Sequence, residues 1–158
     1  MRFATALFAV ALSLTVAHAQ AAPRVSGDGS LEISQVWARM SPKEADTTSV
    51  FFEVWSNGEE SDELLSASSP VAGTIMLRRG SWKGLNFLNK DSDGIRIKPG
   101  TRTSFHPGAM EVTLTDLKAP VNVGSTLPVT LNFKEAGTIT VEATVANQLL
   151  GNRGVRKN

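Results

Sequence analysis

The chain contains no cysteine among its 158 residues. That excludes disulfides, thiol redox chemistry, cysteine-ligated zinc and a cysteine nucleophile. Histidine is scarce as well, present only as His18 and His106. A soft metal ion would therefore have to be held by methionine and His106. Catalysis has little to draw on: there is no obvious nucleophile–base pair and no recognisable carboxylate pair, so the chain is not expected to be an enzyme. Net charge is missing too. The whole chain is formally +1, with 16 Lys+Arg against 15 Asp+Glu, and losing the stretch that holds Arg2 leaves 15 against 15. A neutral chain has no electrostatic footprint for nucleic acid or an anionic membrane.

What is present begins with an export signal. Arg2 is followed by an apolar run over 3–16, broken only by Thr and Ser, and then by the small-x-small triplet Ala17-His18-Ala19. This pattern predicts a signal peptide over 1–19, cleaved near Gln20, and a periplasmic or secreted protein. The run is too short to span a bilayer comfortably, so no membrane association is expected after cleavage. Small and polar residues over 20–30 read as a flexible lead-in, 31–146 as one β-domain, and 147–158 as a basic flexible tail. That tail carries Arg153, Arg156 and Lys157, with room for one helical turn over 147–152.

Between lead-in and tail the residues favour strands. Strands are predicted over 31–37, 48–55, 64–69, 73–79, 95–97 and 103–105, with an edge strand over 82–88 and a turn over 90–94. The stretch FHPGAMEVTLTDLK, 105–118, turns at Pro107-Gly108 and continues as a strand over 111–115. The clearest hairpin is Leu127, Val129, Leu131 and Phe133 alternating against Ile139, Val141, Ala143 and Val145, with Ala136-Gly137 between them. Short strands with frequent turn signals and no sustained helical period indicate an all-β, single-domain antiparallel sandwich or barrel. Trp37, Trp55 and Trp82 read as packing residues. Glu59-Glu60 with Asp62-Glu63 reads as a solvated acidic turn, lacking the spacing of a calcium loop.

Several motifs recur together in order. They are Trp37-Ala38-Arg39 with Pro42, then Asn57-Gly58, Asp62 and Leu64, then Ala67-Ser68-Ser69-Pro70-Val71-Ala72. Pro99-Gly100, Pro107-Gly108, Leu117-Lys118 with Pro120, and Pro128-Val129-Thr130-Leu131 with Ala136-Gly137 follow. Together they resemble the periplasmic copper chaperone family PCu(A)C across residues 31–145. The resemblance implies a cupredoxin-like Greek-key β-sandwich. It also implies surface binding of Cu(I) by two His and two Met, and delivery towards the copper centre of cytochrome oxidase. The implied partners are a periplasmic copper protein or an oxidase assembly factor.

Laid onto this chain without a gap, the family's four ligand positions fall on Arg78, Asn89, Glu111 and Thr113. None suits Cu(I). Arginine keeps its proton and repels a cation, while Asn, Glu and Thr offer hard oxygens. Because these positions converge in the family, an Arg78–Glu111 ion pair with Asn89 and Thr113 around it is expected in place of copper. No cofactor is expected at that site. Cu(I) at a non-family site would use Met76, His106 or Met110. The alternative for these residues is packing by Met76 and Met110, with His106 bonded to backbone in its turn. Two functions stay open: a copper-chaperone-like protein, and a metal-free protein-interaction module on the same scaffold. The sequence does not define an oligomeric state.

Overall fold

Alternation with a period of two builds this molecule: wherever apolar residues recur at every second position, the chain runs as a strand and turns that face inward. The computed structural model describes residues 22–41, 45–83 and 86–147. Its strands are β1 (Arg24–Val25), β2 (Leu31–Arg39), β3 (Thr48–Ser56), β4 (Asp62–Ser68), β5 (Thr74–Lys83) and β6 (Asn86–Asp91). They continue as β7 (Ile95–Ile97), β8 (Arg102–Phe105), β9 (Met110–Thr115), β10 (Thr126–Phe133) and β11 (Thr138–Ala146). The described residues contain no helix. The predicted signal peptide over 1–19 and nearly all of the tail lie outside the described residues.

The strands share one sheet in the order β6-β5-β9-β3-β2-β11-β10-β4-β7, with β1 added to β2 and β8 to β3. Its inner face closes on a single apolar cluster. Val50, Phe52 and Val54 of β3, Val112 and Leu114 of β9, and Leu131, Val141 and Ile97 from the far strands all belong to it. Each such side chain contributes about 1.5–3 kcal/mol when fully buried. The predicted β10–β11 hairpin is present, with Leu131 opposite Ile139 and Val129 opposite Val141.

One pairing departs from the purely antiparallel expectation: β11 runs parallel to β2, matching Thr144 with Trp37 and Ala146 with Arg39. β2 makes this possible by changing course midway. Its register against β3 shifts between Ser34 and Trp37, and Gln35 takes a left-handed φ of 52° there. Such a bulge bends and twists a strand. The first half of β2 therefore pairs with β1 and β3, and the second half with β3 and β11.

Three local expectations are corrected. Residues 82–88 are not one edge strand: Trp82 and Lys83 end β5 and pair back with β6, which runs through Lys90 to Asp91 and so takes the start of the predicted turn. The lead-in is held from residue 24 onward, because β1 pairs with β2 and Asp28 organises a turn behind it. Asp28 Oδ1 accepts from the Ser26 hydroxyl at 2.5 Å, the Ser30 hydroxyl at 2.8 Å and the Ser30 amide at 3.0 Å. These donors, Ser26 foremost, lower the Asp28 carboxyl to about 2. Finally, Asp62 is no solvated turn residue. It is buried, and its carboxylate accepts the backbone N–H groups of Glu63, Glu135 and Ala136, tying β4 to the β10–β11 turn.

Candidate functional site

The outer face of β5, β9, β3 and β2 collects the residues that the motifs single out. Leu77, Val112, Val50 and Ala38 point into the core, so their neighbours in each strand point outward. Register then sets two rows. Arg78 is opposite Glu111, while Phe51 is opposite Trp37 in the same outward layer. Met76 is opposite Thr113, which is opposite Ser49, and Arg39 stands beside them at the end of β2. The three residues of the Trp37-Ala38-Arg39 motif thus divide between two roles. Ala38 packs inward, and Trp37 and Arg39 join the outer face.

This outer face is covered rather than simply wet. Phe51 is 0% exposed, Thr113 2% and Ser49 7%. Phe51 meets the Trp37 ring at 4.5 Å between centroids, and the Arg39 guanidinium lies over it at 5.4 Å. Neither Trp37 nor Phe51 belongs to the inner cluster, so the sheet carries a second, smaller packed layer outside.

The four substituted positions do come together, with different partners from those expected. Asn89 on β6 stands opposite Gly80, which carries no side chain into the path between strands. The Asn89 amide reaches over it and donates from Nδ2 to Glu111 Oε1 at 2.6 Å. Thr113 Oγ1 is 3.5 Å from the same oxygen, at the outer limit for a hydrogen bond. Arg78 is Glu111's register partner but makes its ion pair with Asp91, Nε to Oδ1 at 3.2 Å. The expected Arg78–Glu111 pair is therefore replaced. Asp91 lies directly opposite Arg78 on β6, and Glu111 is already engaged by the amide. Arg78 Nε is counted in this ion pair and is also a buried nitrogen without a hydrogen-bond partner. The charges are close, but the Nε–H does not point at the Asp91 oxygen. Asn89 Oδ1 is likewise buried without a partner.

The donor set does not fit Cu(I). It consists of a permanently protonated guanidinium, a carboxylate already holding an amide, and a hydroxyl. Met76 and Met110, two of the three relocated candidates, do not share a face. Met76 lies on the outer face beside Thr113, and Met110, like Met40, packs against the inner cluster. His106 is exposed, with Nδ1 3.1 Å from the Pro107 carbonyl oxygen.

His106 opens the turn whose last residue, Ala109, donates its amide N–H back to the His106 carbonyl at 3.0 Å. Gly108 takes φ 86° there, and Pro107 precedes it, as a type II turn requires. The turn is a detour within one long stretch that pairs along one side of β3. β8 pairs with β3 at Phe52–Phe105 and β9 at Val50–Val112, so 106–109 bulge out between two collinear strands. That detour sets Glu111 and Thr113 against β5.

Residues 31–145 match the family described as "Putative lipoprotein LpqE-like". A putative lipoprotein of Leifsonia xyli subsp. xyli is 28% identical over 148 residues, covering 90% of this chain and 87% of that one. The copper-bound PCuAC domain from PmoF2 superposes with a TM-score of 0.69 at 21% identity, covering 80% of this chain and 99% of that domain. The Cu(I) form of DR1885 from Deinococcus radiodurans gives 0.58 at 24% identity, over 76% and 82%. The fold is that of the PCuAC domains, cupredoxin-like and all-β. By its match across residues 31–145, the chain belongs to the LpqE-like family.

Proposed function

We propose that this protein is an exported binding module built on the copper-chaperone scaffold, which holds no Cu(I) at the position the chaperones use. One observation carries the reading. Glu111, at one of the four ligand positions, accepts from Asn89 at a second and, at the outer limit of distance, from Thr113 at a third, while Arg78 brings a fixed positive charge to the fourth. Such a set repels a soft monocation and spends its best acceptor on an amide. In this reading the outer layer around Phe51 is the working surface and its partner is a protein. Purified mature protein titrated with Cu(I) against a competing chelator tests it. The expected outcome is that the chelator keeps the metal. Sub-micromolar capture would sink the proposal.

A second reading is favoured by Met76, whose half-buried thioether lies on the outer face next to Thr113. There, Cu(I) handling towards cytochrome oxidase would persist through a site shifted along the face, with His106 as the imidazole donor. Cu(I) capture lost in both Met76→Ala and His106→Ala would establish it.

Export with removal of the leader near Gln20 belongs to either reading. The family's description speaks of lipoproteins, and no residue of this chain offers a thiol to hold a thioether-linked lipid. The intact mass of the exported protein tests both points: it should equal that of an unmodified chain beginning within a few residues of Gln20.

A further inference from the structure

We infer that the outer face around Arg39 and Arg78 receives the carboxylates of an acidic segment on a partner protein. This rests on the binding-module reading and names the chemistry of the partner.

Two arginines on one face have Nε atoms that are buried and lack a hydrogen-bond acceptor. Arg39 pairs with no carboxylate among the described residues, and its guanidinium is held over Phe51 instead. A guanidinium resting on an aromatic ring is pre-positioned, and its edge N–H groups form a fork that matches a carboxylate. Arg78 has only Asp91, a side chain 67% exposed whose oxygen lies near Nε without accepting its hydrogen. So exposed a partner is held weakly and is easily displaced by a better-aligned carboxylate. Glu111 does not compete for either arginine, because Asn89 and Thr113 hold it.

The spacing suits an extended segment. β5 and β2 are three strand intervals apart in the sheet, about 14 Å at ~4.8 Å each. Arg39 shortens that gap by reaching over Phe51 on β3. Carboxylates two to four residues apart on an extended chain span roughly 7–13 Å, which places one on each arginine.

The rest of the molecule steers such a segment. β3 runs from this face to Ser56, which lines a cleft of about 230 Å³ carrying Asp28, Glu59, Glu60, Asp62 and Glu135. A like-charged cleft repels an acidic chain and leaves the Arg39–Arg78 end as its landing point.

The test is a titration of hexaglutamate peptide into ¹⁵N-labelled mature protein, read at the arginine Nε–H cross-peaks. The expected result is a saturable shift at Arg39 and Arg78, none at Arg24 or Arg96, and none at all with hexaglutamine. Arg39→Lys and Arg78→Lys keep the charge and lose the planar fork, so each should weaken binding about tenfold while the protein stays folded by circular dichroism. The inference is overturned if Arg39 stays still at millimolar peptide, or if hexaglutamine or acetate shifts it equally. It is equally overturned if Arg39→Lys binds as tightly as the native chain, or if raising the protein concentration alone reproduces the shifts, which would make a second copy the occupant. Cu(I) titration of the same sample judges the broader reading separately. Copper capture defeats the binding module itself. Peptide failure without copper capture removes only the acidic partner.

Discussion

The β10–β11 hairpin and the β5–β9–β3 region obey the same alternation rule and yield different kinds of surface. In the hairpin, inward residues such as Leu131 and Val141 are buried, and outward ones such as Thr138, Thr140 and Glu142 are exposed. In β3, both faces are buried for part of the strand: Val50 and Phe52 inward, Ser49 and Phe51 outward. Alternation says which way a side chain points. It does not say what lies over it. The outer layer exists because Trp37 and Arg39 come back over Phe51 from the neighbouring strand, a contact that the spacing of residues in β3 alone does not encode.

The comparison breaks most readily on stability. Leu131→Ala, in the inner core, should cost about 2–5 kcal/mol, and Phe51→Ala, on the outer face, about 3–5 kcal/mol. Equal or greater loss at Phe51 in urea denaturation supports a second packed layer. A loss below about 1 kcal/mol at Phe51 would mean that its burial carries no packing energy.

Next in size is Asp62, which joins the two regions' logic. Asp62→Ala leaves the Glu135 and Ala136 amides without their carboxylate and should cost about 1–3 kcal/mol. Asp62→Asn keeps one acceptor and should cost less. If the two variants melt together, the carboxylate does not hold the β10–β11 turn.

Within the candidate site, Asn89→Ala removes the donor to Glu111 and should cost about 0.5–1.5 kcal/mol. Asp91→Ala removes only a mostly exposed ion-pair partner of Arg78 and should change stability by less than about 0.5 kcal/mol. The reverse order would show that the Arg78–Asp91 pair, and not the Asn89–Glu111 bond, ties β6 across to β9.

How far the sequence reaches follows from these same residues. The β10–β11 hairpin was readable because its apolar positions alternate without a break and a Gly-containing turn joins them. The nearness of Arg78 to Glu111 follows from the family resemblance, and the pairing of β5 with β9 sets the two directly opposite each other. The ion pair of Arg78 was not readable, because it depends on where Asp91 lands. Residues 90–94 carry strong turn chemistry, yet pairing with β5 carries β6 through Asp91 before the chain turns, placing a carboxylate opposite Arg78. Asp62 escaped for a similar reason. In sequence it belongs to an acidic run, and its burial comes from backbone N–H groups more than seventy residues away. The lead-in escaped because Ser26-Gly27-Asp28-Gly29-Ser30 has the composition of a flexible loop, and a single carboxylate organises it.

That last carboxylate gives the smallest predicted effect. Asp28 is lowered from 3.8 to about 2, chiefly by the Ser26 hydroxyl. A depressed folded-state value means that its contribution to stability is fully present above about 4. It fades as the pH falls through about 2. NMR titration should find the Asp28 carboxyl changing near pH 2, and Ser26→Ala should move that midpoint upward. An unmoved midpoint would remove Ser26 as the cause.

The central claim is that the scaffold's metal position survives while its chemistry has been exchanged for a polar network. The most direct measurement is one Cu(I) competition titration run on two proteins, the native mature chain and the variant Arg78→His/Asn89→Met/Glu111→His/Thr113→Met. The account predicts that the native chain leaves Cu(I) with the chelator. The variant, restoring two imidazoles and two thioethers to positions that already meet, should withhold the metal with at least about a thousandfold higher affinity. Native protein that captures Cu(I) and loses it on Glu111→Ala would contradict the account outright.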